Sequence, residues 1–162
     1  MEDTNTALWR LRRRLEYLEG LQAAPNTAIV TLLLRPEEQI IKIRQMLHEE
    51  LAQSSNIKNG ARRSSVQEAL RAISEHLKPY KKAPTNGLAC FFASSVLDPK
   101  LNKEFKLKLF FDVPRPVPKF VYSCDSDFKL DILKSMLHDD RAIGFIVVDG
   151  NGALFATVRG NS

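Results

Sequence analysis

SSNIKNGARRSS, from Ser54 to Ser65, separates two segments of helical periodicity and carries Lys58, Arg62 and Arg63, with no acidic residue between Glu50 and Glu68. A connection of twelve mostly small or polar residues exceeds the usual link between helices, and long links are commonly functional. Asn59-Gly60 tolerates positive φ, which predicts a tight turn inside it. The stretch reads as the exposed cationic tip of a helical hairpin, although the same charges would also suit an ordinary solvated loop.

Outward from the tip, the flanking helices are well specified. On the N-terminal side Ile40, Ile43, Leu47 and Leu51 form one stripe, and Pro36 followed by Glu37 and Glu38 predicts the helix start. On the C-terminal side Ser65-Val66-Gln67-Glu68 has the form of a capping box. Val66, Ala69, Leu70, Ile73 and Leu77 then recur at helical spacing until Pro79. Arg62-Arg63-Ser64-Ser65 also has the form of a basophilic kinase site, but capping accounts for Ser65 without a kinase.

Upstream, Leu8, Leu11, Leu15 and Leu18 lie on one face of a helix from Ala7 to Glu19, with Arg10, Arg13 and Arg14 turned outwards. The run Ala28 to Leu34 is short, β-branched and nearly continuous in apolar residues, as a strand covered on both faces would be, with Thr27 at its start. Downstream, Pro84-Thr85-Asn86-Gly87 predicts a turn and Leu88 to Ala93 a buried strand. Phe105, Leu107, Leu109 and Phe111 alternate with Lys106 and Lys108 in a half-buried one. A short strand at Phe120 to Tyr122 and a helix from about Asp127, with that aspartate as its cap, to Leu137 follow. Ile143 to Val148 and Ala153 to Val158 flank Asp149-Gly150-Asn151-Gly152, a β-hairpin signal. The order predicts an α+β domain: a single, mostly antiparallel sheet of four to five strands, helices packed on it, and a projecting helix-loop-helix hairpin. Gly160-Asn161-Ser162 ends without a capping or tail feature, so the chain reads as one domain, 1–162, cut from a larger protein.

Composition narrows the class. The chain has 162 residues, 44% of them hydrophobic and 27% charged, enough for one domain with a real core. Its 24 Lys and Arg against 19 Asp and Glu leave +5, and the isoelectric point near 9.3 favours polyanionic partners. Cys90 and Cys124 are far apart, outside any CxxC pair, and His48, His76 and His138 stand singly. Neither a disulfide framework nor a metal site is indicated. No secretory leader or membrane-length apolar run is evident, so a nuclear or cytoplasmic protein is expected. Nor is there a phosphate-binding glycine loop or a nucleophile elbow, and no cofactor is implied. Asp125-Ser126-Asp127 has the spacing of a phosphate-transferring carboxylate pair, but Phe128-Lys129 departs from that pattern and no downstream acidic pair follows. Glu50, shortly before the tip, is the carboxylate best placed to meet whatever the tip binds.

SSNIKNGARRSSV at 54–66, YSCDSDF at 122–128 and GFIVVDGNGALFATVRGN at 144–161, with Asn26-Thr27-Ala28 and PTNGLACFF at 84–92, occur in one order. Together they resemble the N-terminal, stop-codon-recognition domain of the eukaryotic class-1 peptide chain release factors, from about Trp9 onwards. The resemblance implies that Asn56, Ile57, Lys58 and Asn59 form a loop approaching the first uridine of a stop codon. It implies that Tyr122, Cys124 and Phe128 lie across the same groove, and that Glu50, Tyr122 and Thr27 meet the purines, with Ser65 also in the codon-binding set. An amide and a carboxylate read base edges, an ammonium suits phosphate, and a tyrosine stacks.

The implied partners are the mRNA stop codon, small-subunit ribosomal RNA, the ribosome and, in a full-length factor, a class-2 release factor GTPase, all in the cytoplasm. The family's Gly-Gly-Gln catalytic domain and its GTPase-binding domain have no counterpart in this sequence, so the chain is expected to decode and not to catalyse. Four positions depart from the family: Asn59 for Ser, Gly60 for Arg, Ala28 for Ser and Asp127 for a common Lys. These predict a looser tip and an altered stop-codon preference or efficiency. The alternative is a general RNA-binding or ribosome-associated adaptor without stop discrimination.

Overall fold

The computed structural model describes residues 3–138, 142–150 and 152–159. Helix α1 (Thr4–Glu19) is followed by the two-residue strand β1 (Gln22–Ala23), β2 (Ile29–Leu34), α2 (Ile40–Gln53), a 3-10 turn (Ser54–Asn56) and α3 (Gly60–Leu77). Then come β3 (Leu88–Asp98), β4 (Lys103–Asp112), β5 (Val121–Asp125), the short helix α4 (Asp131–Ser135), β6 (Ala142–Asp149) and β7 (Gly152–Arg159). Five strands form one wholly antiparallel sheet in the order β4-β3-β2-β5, and β1 pairs beside β2 on the same edge of β3. β6 and β7 form the expected hairpin, in register from Ala142 opposite Arg159 to Asp149 opposite Gly152. Asn151 and the ending Gly160 to Ser162 lie outside the described residues.

The sheet is the middle of three layers, which explains the apolar runs of β2 and β3. Ile29 and Leu33 of β2, with Ala89, Phe91 and Ala93 of β3, pack under Leu11, Leu15 and Leu18 of α1 and Leu133 of α4. The alternate residues, Val30, Leu32 and Leu34 with Leu88, Cys90 and Phe92, pack under Ile43 and Leu47 of α2 and Val66, Ala69, Leu70 and Ile73 of α3. All six residues of β2 are buried. A strand covered on both faces has no polar side to show. Phe91 and Phe92 are adjacent and both fully buried, one on each side, and each contributes about 1.5–3 kcal/mol of apolar burial. A register shift between Ala93 and Val96 reverses the alternation and turns Val96 into the α1-side core.

Three predicted element boundaries move. Helix α2 begins at Ile40 and not at Pro36: Pro36 and Glu37 form a turn with Glu37 at φ 58°. Backbone bonds from Ala83 N to Glu38 O (2.9 Å) and from Ile40 N to Lys81 O (3.2 Å) tie that segment to residues 81–83. Glu38 accepts from the Arg35 amide and guanidinium instead of capping a helix.

Helix α3 begins at Gly60, five residues before the capping-box serine, because Asn59 is its true cap and accepts from Arg62 N at 2.9 Å. Ser65 is therefore inside the helix and buried, while Glu68 pairs with Lys106 of β4.

Helix α4 begins at Asp131, so Asp127 caps nothing. The chain bends at Ser126 and Asp127, and Lys129 N donates to Thr31 Oγ1 at 3.3 Å, which ties this segment to β2. The Pro84 to Gly87 turn forms as expected, with Gly87 N bonded to Pro84 O at 2.8 Å. Gly87 has φ 99°, and a Cβ there would run into the Leu34 carbonyl oxygen.

Candidate nucleic-acid interface

With α3 starting at Gly60, the link between the hairpin helices shrinks to the 3-10 turn and Ile57, Lys58 and Asn59. It is tightly held. Ser54 is buried and its hydroxyl donates to Leu51 O, Ile57 N donates to Ser54 O at 3.0 Å, and the Arg63 guanidinium donates to Ile57 O at 2.9 Å. Ile57 is half-buried against the α2/α3-side core, whereas Asn56, Lys58 and Asn59 are exposed. Asn59 has φ −72°, and Gly60 is an ordinary helical residue. The predicted left-handed turn is therefore absent, because the asparagine side chain caps the helix instead.

The tip is also joined to the segment before β2 by a ladder of three side chains at a spacing of three on α3. Asn59 Nδ2 donates to Asn26 Oδ1 (3.2 Å), Arg62 reaches Thr27 O (3.5 Å), and Ser65 Oγ accepts from Ala28 N (3.0 Å). Ser65 also shares a hydrogen bond with Ser94 Oγ at 2.7 Å. Asn26 sits at φ 59°, a left-handed conformation that asparagine tolerates, and Thr27 closes the turn with its hydroxyl on Ala24 O at 2.6 Å. Asn26 and Arg62 are thus structural members of the site that reading for base contacts passed over. The signal was the polar row Asn59, Arg62, Ser65, which a helix places near one line.

Across from the tip, Tyr122 and Cys124 alternate on the edge strand β5 opposite Leu32 and Val30, and so face the α2/α3 side. Burial raises the Tyr122 pKa, with smaller contributions from Cys124 and Glu50, so the phenol stays a neutral donor and acceptor. Burial likewise raises the Cys124 pKa; nearby Arg62 opposes this, and Asp125 and Glu50 add to it. A thiol held neutral is no nucleophile. Glu50 therefore lies near enough to Tyr122 and Cys124, and Arg62 to Cys124, for their charges to be felt. Glu50 is half-buried in the last turn of α2 and makes no ion pair among the described residues. A carboxylate near a helix C-terminus opposes the helix dipole, so its position does not serve the helix.

Of the ten predicted site residues, Thr27, Asn59 and Cys124 neighbour Arg62, Glu50 and Tyr122 lie near Cys124, and Asn56 and Lys58 are exposed on the adjoining tip. Ile57 and Ser65 are on the α2/α3 side but are occupied in packing and in holding Ala28. Phe128 is on the other side: β5 ends at Asp125, the chain turns, and the Phe128 ring meets Phe91 edge-on at 5.8 Å in the α1-side core. Asp125 accepts from Ser126 N at 2.7 Å and pairs with Lys129 at 3.0 Å, which holds its carboxyl below the usual range. Among the described residues no group of three His, Cys, Asp or Glu could hold a metal ion. No helix among them is long and apolar enough to cross a membrane. What remains is a recognition surface: a carboxylate acceptor, a phenol, an amide and cations on one side of the sheet, suited to unpaired bases and phosphates.

Comparison with known proteins points to one family. The chain is 36% identical over 160 residues to eukaryotic peptide chain release factor subunit 1 of Cryptosporidium hominis, covering 99% of the chain and 37% of that protein. It is also 36% identical over 160 residues to subunit 1-2 of Arabidopsis thaliana, covering 36% of that relative. The chain thus spans little more than a third of the length of these curated relatives. The crystal structure of the archaeal translation termination factor aRF1 superposes with a TM-score of 0.70 at 27% identity, over 93% of this chain and 41% of that one. The family model described as eRF1 domain 1 matches residues 6–138. A match over that span, on a fold of the same architecture, means that the chain belongs to the eRF1 domain 1 family.

Proposed function

We propose that this chain is the codon-recognition domain of a class-1 release factor and reads the stop codon of mRNA in the ribosomal A site. The observation that carries the proposal is the convergence of Glu50, Tyr122, Cys124 and Arg62 beside the fixed tip Asn56-Ile57-Lys58. In this reading Asn56 and Lys58 meet the first uridine and the adjoining phosphate, and Glu50 and Tyr122 read the purine edges. Thr27, carried by the ladder from α3, supplies a further hydroxyl. Asn59 acts on preference through its bond to Asn26, not through loop flexibility. Peptide release belongs to another domain of such a factor, as does binding of a class-2 GTPase; small-subunit ribosomal RNA shapes the codon, and the setting is the cytoplasm.

The test places this domain on the catalytic and GTPase-binding parts of a standard factor and measures release at UAA, UAG, UGA and a sense codon. Release confined to stop codons and lost in Lys58→Ala and Glu50→Ala is the expected result. Equal release at the sense codon would leave a general RNA-binding adaptor, and full activity in both variants would end the assignment. Free stop trinucleotides should bind negligibly, because a few contacts do not offset the entropy of association without the ribosome.

A further inference from the structure

The decoding reading leaves one strongly charged surface unused: the outer face of α1, on the opposite side of the sheet. Its inner stripe, Leu11, Leu15 and Leu18, is buried. Trp9, Arg13 and Tyr17 follow one another at intervals of four along the outer face, spanning roughly 12 Å. Trp9 is 60% exposed and Tyr17 46%. The Arg13 guanidinium lies over the Trp9 ring at 5.6 Å, and Arg10 and Arg12 are exposed beside it. Arg14 lies 4.5 Å from the centre of the Phe111 ring at the sheet edge. Of the acidic groups of this helix, Glu16 is exposed one turn beyond Arg12 and Arg13, and Glu19 is paired with Lys134 at 2.6 Å.

Packing on the sheet uses the leucine stripe and leaves the Trp9 ring mostly in water, with Tyr17 partly exposed on the same face. An arginine stacked on tryptophan, with a second aromatic one turn further and flanking guanidinium groups, matches an unpaired base inserted among phosphates. The leucine stripe faces inward, so no continuous apolar face remains for a membrane. We propose that the outer face of α1 is a second RNA-binding surface, taking an unpaired nucleotide against Trp9 and its neighbouring phosphates on Arg12 and Arg13. It is on the other side of the sheet from the Lys58 tip and does not rest on the decoding reading.

Trp9 is the only tryptophan of the chain, so its fluorescence reports occupancy directly. The experiment titrates the whole chain with an RNA hairpin carrying a single bulged nucleotide, at several salt concentrations. Saturable quenching is expected, weaker with the fully paired hairpin. Arg12→Gln/Arg13→Gln should make the slope of log K against log salt shallower by about 1.4–1.8. Between about 50 and 200 mM salt the unaltered chain should then lose about tenfold more affinity than the double variant. With labelled RNA, Trp9→Ala should bind about tenfold more weakly. All three side chains are exposed, and circular dichroism melting of each variant checks the fold.

RNA binding without Trp9 quenching would overturn the proposal, as would an unchanged salt slope. Equal quenching by polyglutamate would assign the face to an acidic protein segment, and quenching that grows with protein concentration alone would assign it to a second copy; either refutes RNA as the occupant. No ribosome is involved, so failure of the release assay leaves this result standing.

Discussion

Ser65 offers the sharpest test, because two accounts of it predict different losses. If it faces a codon, Ser65→Ala alters release and leaves stability alone. In the structure it is 4% exposed and Ala28 is 0% exposed, and the substitution removes the acceptor of the Ala28 amide at 3.0 Å. An orphaned buried N–H costs about 2 kcal/mol, within a range of about 1–3. Ser94, which loses its 2.7 Å partner, is half-buried and recovers a bond from water. Alanine is the better helix former and returns about 0.5 kcal/mol. The net loss is about 1.5 kcal/mol, equivalent to a fall in Tm of about 3–6 °C for a domain of this size. Urea denaturation followed by circular dichroism measures it, with an unchanged m-value expected, and the Ala28 amide should exchange with solvent faster than its helical neighbours. A loss under about 0.5 kcal/mol, or full protection of the Ala28 amide, would refute the ladder.

Asn59→Ala should cost about 1 kcal/mol through loss of the α3 cap, while Asn59→Ser should retain most of that stability; thermal melts of the two variants separate them. A stop-codon preference that moves in Asn59→Ser without a change in melting would tie Asn26 to specificity. Alkylation should distinguish the thiols: half-buried Cys124 reacts slowly in the native chain and fully buried Cys90 only on unfolding, as read by mass spectrometry. Both thiols have pKa values raised by burial. The unfolded state therefore releases those protons first, and stability should fall as pH rises above the unfolded thiol pKa of about 8.5. A flat stability profile from pH 8 to 10 would count against this.

Much of the fold was legible because periodicity reports burial directly. The uninterrupted apolar run of β2 signals cover on both faces, and the Lys106 and Lys108 alternation marks the strand whose α3 side is reached by Glu68. Boundaries were illegible wherever a distant partner took a local signal's place. Ser65 and Glu68 have the spacing of a cap, yet their bonds run to Ala28, Ser94 and Lys106. Pro36 has the look of a helix start, yet residues 38–40 pair with 81–83. The site was half legible. Tyr122 and Cys124 share a face because they are two apart on a strand, but the motif's third aromatic, Phe128, lies beyond the strand's end, where that rule stops applying. Arg62 was visible only as charge until its reach to Thr27 and Cys124 gave it neighbours.

The rungs from Asn59, Arg62 and Ser65 to Asn26, Thr27 and Ala28 have a bearing on how this surface can change. Residues that share a bond do not contribute independent increments of free energy. Substitutions on the tip and on the 26–28 segment will therefore show interaction energies in double-mutant cycles, whereas changes at Tyr122, on a different strand, will combine with Ser65 variants more nearly by addition. A route to new specificity would run through paired replacements across one rung, and single changes explored one at a time would undervalue it.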